Sequence, residues 1–284
     1  MRRIDHIVVA VRELDQAADL YRRVGFQVGA RNEHPWGTEN RLIQFGSSFI
    51  ELISLGGSAH RIAPHHPRQF SFGTFVRNYL ELREGIAMLV LSSSNAESDA
   101  AEFAARGIGD FEPFFFERKG KGPGGSETQV AFTLAFACDP AAPNVGFFVC
   151  QQHFPENFWN RIFQEHPNSA RDIAAVTLAA PDPMQHVDFL AGFSGAEGHP
   201  LPDGGLRFGL GKGRIEIIQT AELQSQALPS TRLRSCTVQV GELESVERIL
   251  EAEKIPFAIL GDRIVVPSES LFGMELYFEM NSGV

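Results

Sequence analysis

Apolar and polar positions along the chain fall into short runs whose period switches repeatedly between strand and helix. Residues 4–11, Ile-Asp-His-Ile-Val-Val-Ala-Val, read as a mostly apolar strand. Leu14, Ala17, Ala18, Tyr21 and Val24 then recur at helical spacing, and Gly25 closes the pattern. A short strand is predicted at 26–30. A hairpin follows, with strand 41–45, a turn at Gly46-Ser47 and strand 49–53. The unit is β-α-β-β-β.

The same order recurs three times, and such self-similarity sets the architecture in one step. The second copy has strand 86–91, helix 96–105 ended by Gly107, strands 111–117 and 129–138 around a Gly-rich turn at 120–125, and strand 145–150. The third has strand 173–179, a helix near 185–191 and strands 205–210 and 214–219. The fourth has strand 234–240, helix 243–253 and strands 257–260, 263–266 and 275–279. Four units predict an α+β protein of two tandem domains, 1–166 and 172–284, with a seam near 167–171. Residues 56–83, rich in His, Pro and Phe, read as an irregular insertion between the first two units, able to fold over a cleft as a lid.

Within strand 49–53 the informative residue is Glu51. Side chains alternate, so Phe49, Glu51 and Ile53 share one face while Ile50 and Leu52 share the other. Both faces are apolar, and an unpaired carboxylate there is costly; it needs a proton, a cation or a metal. Pairing with Arg41 on the neighbouring strand is the plainer alternative.

Composition narrows the function. The 284 residues carry a net charge of −10, which disfavours nucleic acid or an anionic membrane as partner. Asp5 and His6 interrupt the run after the N-terminal arginines, which is not a signal-peptide core, and no stretch is long enough to span a bilayer. Three widely spaced cysteines suit a reduced, cytoplasmic compartment. The 24 phenylalanines against 3 tyrosines and 2 tryptophans predict large apolar surfaces beneath the sheets.

Residues 4–11, the helix ending in Gly25-Phe26, Gly37-Thr38-Glu39-Asn40-Arg41 and Phe49-Ile50-Glu51-Leu52 together resemble the vicinal oxygen chelate superfamily, and within it the glyoxalase-like domain group. The match is specific over roughly the first fifty-five residues and topological beyond them. The resemblance implies two vicinal-oxygen-chelate domains, each a pair of βαβββ modules curved into a half-open barrel. It implies a divalent metal (Zn, Fe, Mn, Ni or Co) held by the first and last strands of a module, and a small-molecule substrate. Lyase, isomerase and dioxygenase activities occur in that superfamily, as do metal-free sequestering proteins; a homodimer is compatible with it.

Carried over residue by residue, the pattern implies His6 and Glu51 as metal ligands. An imidazole nitrogen and a carboxylate oxygen suit such ions. A histidine on an apolar stripe is otherwise more often a hydrogen-bonded core residue. Module two departs from the pattern: Met88 falls opposite His6, and Val149 or Cys150 opposite Glu51. His153 is the substitute third ligand if its strand runs that far, and Gln152 could add a weak oxygen or hold a bound water. Trp36, Thr38, Asn40 and Arg41 form the expected substrate rim, and His34 is the candidate base, with Glu51 itself as another. Ala174-Ala175 in module three and Ser235-Cys236 in module four make the second domain look depleted, its Glu216 being explained by Arg214. A metal-free binder of hydrophobic small molecules remains the rival reading.

Overall fold

The computed structural model describes residues 1–121, 127–202, 204–220 and 231–280. In the first half the strands are β1 (Ile4–Ala10), β2 (Asn32–Glu33), β3 (Thr38–Gln44), β4 (Phe49–Leu55), β5 (Gly85–Ser92), β6 (Phe114–Lys121), β7 (Glu127–Ala137) and β8 (Gly146–Gln152). They form one sheet in the order β2-β3-β4-β1-β5-β8-β7-β6. The first strands of the two modules, β1 and β5, pair antiparallel at the centre, and each carries its module's last strand alongside in parallel, β4 beside β1 and β8 beside β5.

The second half repeats the plan. Strands β9 (Ala170–Ala180), β10 (Gly198–Pro200), β11 (Leu206–Gly209), β12 (Arg214–Gln219), β13 (Arg232–Val240), β14 (Ala258–Leu260), β15 (Arg263–Val266) and β16 (Glu275–Met280) form a sheet in the order β10-β11-β12-β9-β13-β16-β15-β14. These are the two tandem half-barrels of four βαβββ modules that the repeat predicts. The module helices are α1 (Leu14–Arg23), α3 (Ala96–Ala105), α5 (Val187–Ser194) and α6 (Leu243–Ala252). No helix among the described residues is long and apolar enough to cross a membrane.

Two local readings change, and a third falls largely outside the described residues. Residues 26–30 form no strand; Gly29 N–H donates once to Leu42 C=O, and pairing with β3 is confined to the two residues of β2. The Gly-rich turn at 120–125 lies largely outside the described residues. The insertion contains a helix, α2 (Phe72–Leu82), started by Ser71, whose hydroxyl accepts from Thr74 N–H. Its Phe72, Val76, Tyr79 and Leu80 follow helical spacing and are buried.

Two cores result. One runs behind both sheets and contains Ile7 and Val9 of β1, Phe147 and Val149 of β8, and Val176 and Leu178 of β9. The other lies inside the first half-barrel, with Val8, Ala10, Met88, Val90, Phe148 and Cys150 from the strands and the apolar face of α2 against them. Strand alternation decides which residues enter this hollow.

Candidate functional site

Pairing of β1 with β4 sets His6 opposite Phe49 and Val8 opposite Glu51. His6 and Glu51 therefore project from adjacent strands onto the same concave face, with His6 Nε2 3.9 Å from Glu51 Oε2. Each is held from behind. Asp5 sits where the β1–β5 register shifts between Ile4 and His6. That shift lets two consecutive side chains meet: His6 Nδ1 donates to Asp5 Oδ1 at 2.8 Å. A carboxylate can only accept, so the Nδ1 proton is fixed and Nε2 is turned to the hollow. Asp5 Oδ2 accepts in turn from Gln152 Nε2 at 3.0 Å. The imidazole stacks on Phe49, with centroids 4.2 Å apart.

Glu51 Oε1 accepts from Asn40 Nδ2 at 2.5 Å. Asn40 Oδ1 accepts from Asn32, and the second Asn40 amide proton points to His34 Nε2 at 3.3 Å. With that nitrogen accepting, His34 Nδ1 carries its proton and donates to Thr38 Oγ1 at 2.9 Å. Burial holds the His34 imidazole below the ordinary histidine range; Glu51 opposes the shift and Arg118 adds to it. A neutral imidazole braced at both nitrogens positions Asn40. Both His34 nitrogens are committed to these partners, which leaves neither free to face a substrate as the expected base would.

These groups form the polar end of a cavity of ≈ 220 Å³. Its walls are otherwise apolar: Trp36, Phe72, Phe116, Phe132, Phe148 and Phe158, with Met88 and Leu134. Trp36 stacks on His34 with centroids 4.6 Å apart. Phe158 is tied across the opening by its carbonyl, which accepts from Gln44 Nε2 at 2.9 Å. Asn32, Glu33, Glu117 and Arg118 also line the space.

Of the expected site residues, the structure brings His6, Glu51, His34, Trp36 and Asn40 together around this cavity. Others lie elsewhere. Arg41 bonds Asp15 and the Gly29 carbonyl outside the hollow, so it neither pairs with Glu51 nor meets a substrate there. Thr38 is buried and serves His34. Gln152 supports Asp5 and does not line the cavity. His153 does not join the metal set: β8 ends at Gln152, and His153 Nε2 bonds Thr133 Oγ1 at 2.8 Å. It follows the parity of Val149, which faces the core behind the sheet, whereas Phe148 and Cys150 face the hollow. Register also corrects the module-two counterpart of Glu51. Met88 lies opposite Gly146, so the residue two further along is Phe148, not Val149 or Cys150.

The donor set can now be compared with a metal. A 3.9 Å separation is within the span of one ion with bonds of about 2.0–2.2 Å to nitrogen and oxygen, and a carboxylate behind a ligating imidazole is the usual support. The set stops at these two. Module two contributes Met88 and Phe148, and no group of three or more His, Cys, Asp or Glu side chains that could hold a metal occurs among the described residues. Zinc sites have three or four protein ligands, and the described residues supply two, so they do not fit a resident zinc of that kind.

The described residues of the second half lack the constellation. Register puts Ala175 where His6 stands and Glu216 where Glu51 stands, while module four offers Ser235 and Tyr277. Glu216 is satisfied by Arg214 and Arg207, and Arg214 also bonds Glu279. Ion pairs occupy the face that is a cavity in the first half.

Fold and site together define a vicinal oxygen chelate protein, with its polar centre on the first and last strands of module one. The profile of the glyoxalase-like domain family matches residues 4–193, and the chain belongs to that family. No curated protein sequence matches the chain. Among solved structures it is similar to a hypothetical protein from Staphylococcus aureus (TM-score 0.71, 12% identity, covering 99% of this chain and 100% of that one). It is also similar to a variant of 4-hydroxymandelate synthase from Streptomyces coelicolor (TM-score 0.59, 10% identity, 100% and 94% covered). A third is the Mn(II)-bound glyoxalase from Novosphingobium aromaticivorans (TM-score 0.55, 10% identity, 100% and 84% covered). At these identities the likeness is one of fold.

Proposed function

We propose that the protein is an enzyme that moves a proton on a small oxygenated organic molecule, in lyase or isomerase fashion, within the first half-barrel. The observation that carries this reading is the pair His6 Nε2 and Glu51 Oε2, 3.9 Å apart at the polar end of an apolar cavity, each fixed by its own buried partner. Such a pair spans two adjacent substrate atoms. Glu51, held by Asn40, takes a proton from carbon next to a carbonyl. His6, in its protonated form, gives its Nε2 proton to the carbonyl oxygen, and Asp5 stabilises the imidazolium from the other side. The electron pair of the broken C–H bond becomes the C=C bond of the enol. When Glu51 returns its proton to the former carbonyl carbon and neutral His6 takes the proton of the hydroxyl on the adjacent carbon, an isomerisation is complete. When His6 instead takes back the enol proton as the carbonyl re-forms, the β-substituent leaves with its bonding pair and accepts the proton held by Glu51, which completes an elimination. The cavity of ≈ 220 Å³ is smaller than the roughly 300–1,000 Å³ of drug-sized sites, so it suits one ring with a short oxygenated arm.

Phenacyl alcohol, an aryl ketone with an adjacent hydroxyl, is a suitable probe. In D₂O the protein should exchange its methylene protons, seen by proton NMR, and His6→Ala and Glu51→Ala should each slow exchange by about 100-fold or more. A second reading, a binder without chemistry, is favoured by the apolar Met88 and Phe148 in module two; it predicts binding without exchange. Exchange that appears only on adding Mn²⁺ or Zn²⁺ and vanishes with EDTA would instead return the reaction to an ion bridging the pair.

A further inference from the structure

Resting on that reading of the cavity, we infer that Arg118 recognises a carboxylate on the ligand, which makes the ligand class an aromatic organic acid. Arg118 lies on β6, the edge strand of the first sheet, and lines the cavity. Several arginines near the first sheet have carboxylate partners: Arg31 and Arg41 pair with Asp15, and Arg2 with Asp99. Arg118 has no carboxylate within ion-pairing distance among the described residues. Its neighbour Glu117 accepts from Gln129 Nε2 at 2.5 Å. Arg118 keeps an exposed face at the rim of the cavity, and the protein atoms packed on its other side lower its pKa somewhat. A planar five-donor fork beside an aromatic hollow matches one ligand group best, a carboxylate bound through two parallel hydrogen bonds.

Polarity also sets the orientation. Glu33, Glu51 and Glu117 line the same space and repel a ligand carboxylate, while Arg118 is the one Lys or Arg side chain among its described lining residues, so the acid of the ligand goes to Arg118. The ring lies against Trp36, Phe116 and Phe132, and the reactive carbon comes to His6 and Glu51. Arg118 is thus a specificity-determining residue, because an uncharged analogue of the same shape forfeits its contact.

Phenylacetate and phenylacetamide have the same size and differ in charge. Calorimetric titration of the full chain should show phenylacetate binding about tenfold or more tighter at low salt, with the preference shrinking as salt rises. Arg118→Ala should weaken phenylacetate by about that factor and leave phenylacetamide unchanged; Arg118→Lys should recover part of the loss. Equal affinity for the two ligands, or an equal loss of both in Arg118→Ala, overturns the inference while the cavity reading stands. Failure of the wild-type protein to bind either ligand up to about 10 mM overturns both.

Discussion

At the scale of single residues, Asp5 and His34 position the reactive pair without belonging to it. Replacing Asp5 by Asn keeps the shape but substitutes an amide, which can turn a donor toward His6 and free Nδ1 to lose its proton. Exchange of phenacyl alcohol should fall about 10- to 100-fold with a displaced pH profile, while the circular dichroism spectrum stays unchanged. An unaltered pH profile would reduce Asp5 to a packing role. His34 makes a separate prediction about stability. Its folded pKa lies below the ordinary 6.5 because burial favours the neutral ring. The unfolded chain therefore binds more protons between the folded value and 6.5. The stabilisation is complete above pH 6.5 and is lost as pH falls through the folded value. His34→Asn should flatten that acid-side loss in urea titrations, most of all just below 6.5. His65 and His166, whose pKa values are also lowered by burial, retain a share of it.

At the scale of elements, most of the sheet was legible in the sequence, because the same order of short apolar strands and one helix repeats four times and helices α1 and α3 end close to a glycine. Glu51 was legible from strand parity, while its partnership with His6 came from the resemblance to the vicinal oxygen chelate superfamily; the β1–β4 register puts both on one face. The support behind them was not. Asp5 reads as an interruption of an apolar run until the β1–β5 register shift is seen to turn it beside His6. Arg118 sits among exposed polar residues of a β6–β7 hairpin, and nothing local says that this hairpin curls over the hollow. His153 was misplaced because β8 ends one residue before it, so parity carried past the strand had no physical basis. Helix α2 was missed although Phe72, Val76, Tyr79 and Leu80 have the right spacing, since His and Pro upstream dominate the composition of the insertion. The helix fills the hollow and supplies Phe72 to the cavity wall. Ser71→Ala should cost about 1 kcal/mol through the lost cap, and Phe72→Ala about 3 kcal/mol through the cavity it leaves. The two separate functionally: only Phe72→Ala should enlarge the site enough to change ligand preference toward bulkier rings.

At the scale of the whole molecule, the two halves share one continuous core, and polar ties cross between them. Phe147 of the first sheet packs against Phe189 and Phe193 of α5, and Phe26 against Phe278 of β16. Asp139, just after β7, accepts from His186 Nδ1 at 2.6 Å, while His186 Nε2 lies 3.2 Å from the Thr231 hydroxyl. All three are almost wholly buried. The depleted second half is thus a support for the first, and the two should unfold together. Trp36 and Trp159 are the only tryptophans and both lie in the first half, so fluorescence reports that half while far-ultraviolet circular dichroism reports the whole chain. In urea the two transitions should coincide. Asp139→Ala strands a buried imidazole N–H, at a cost of about 1–3 kcal/mol. It should lower both midpoints equally, although Asp139 does not line the cavity. A fluorescence transition that held its midpoint while the dichroism shifted would mean that the halves fold independently and that the second does not brace the site.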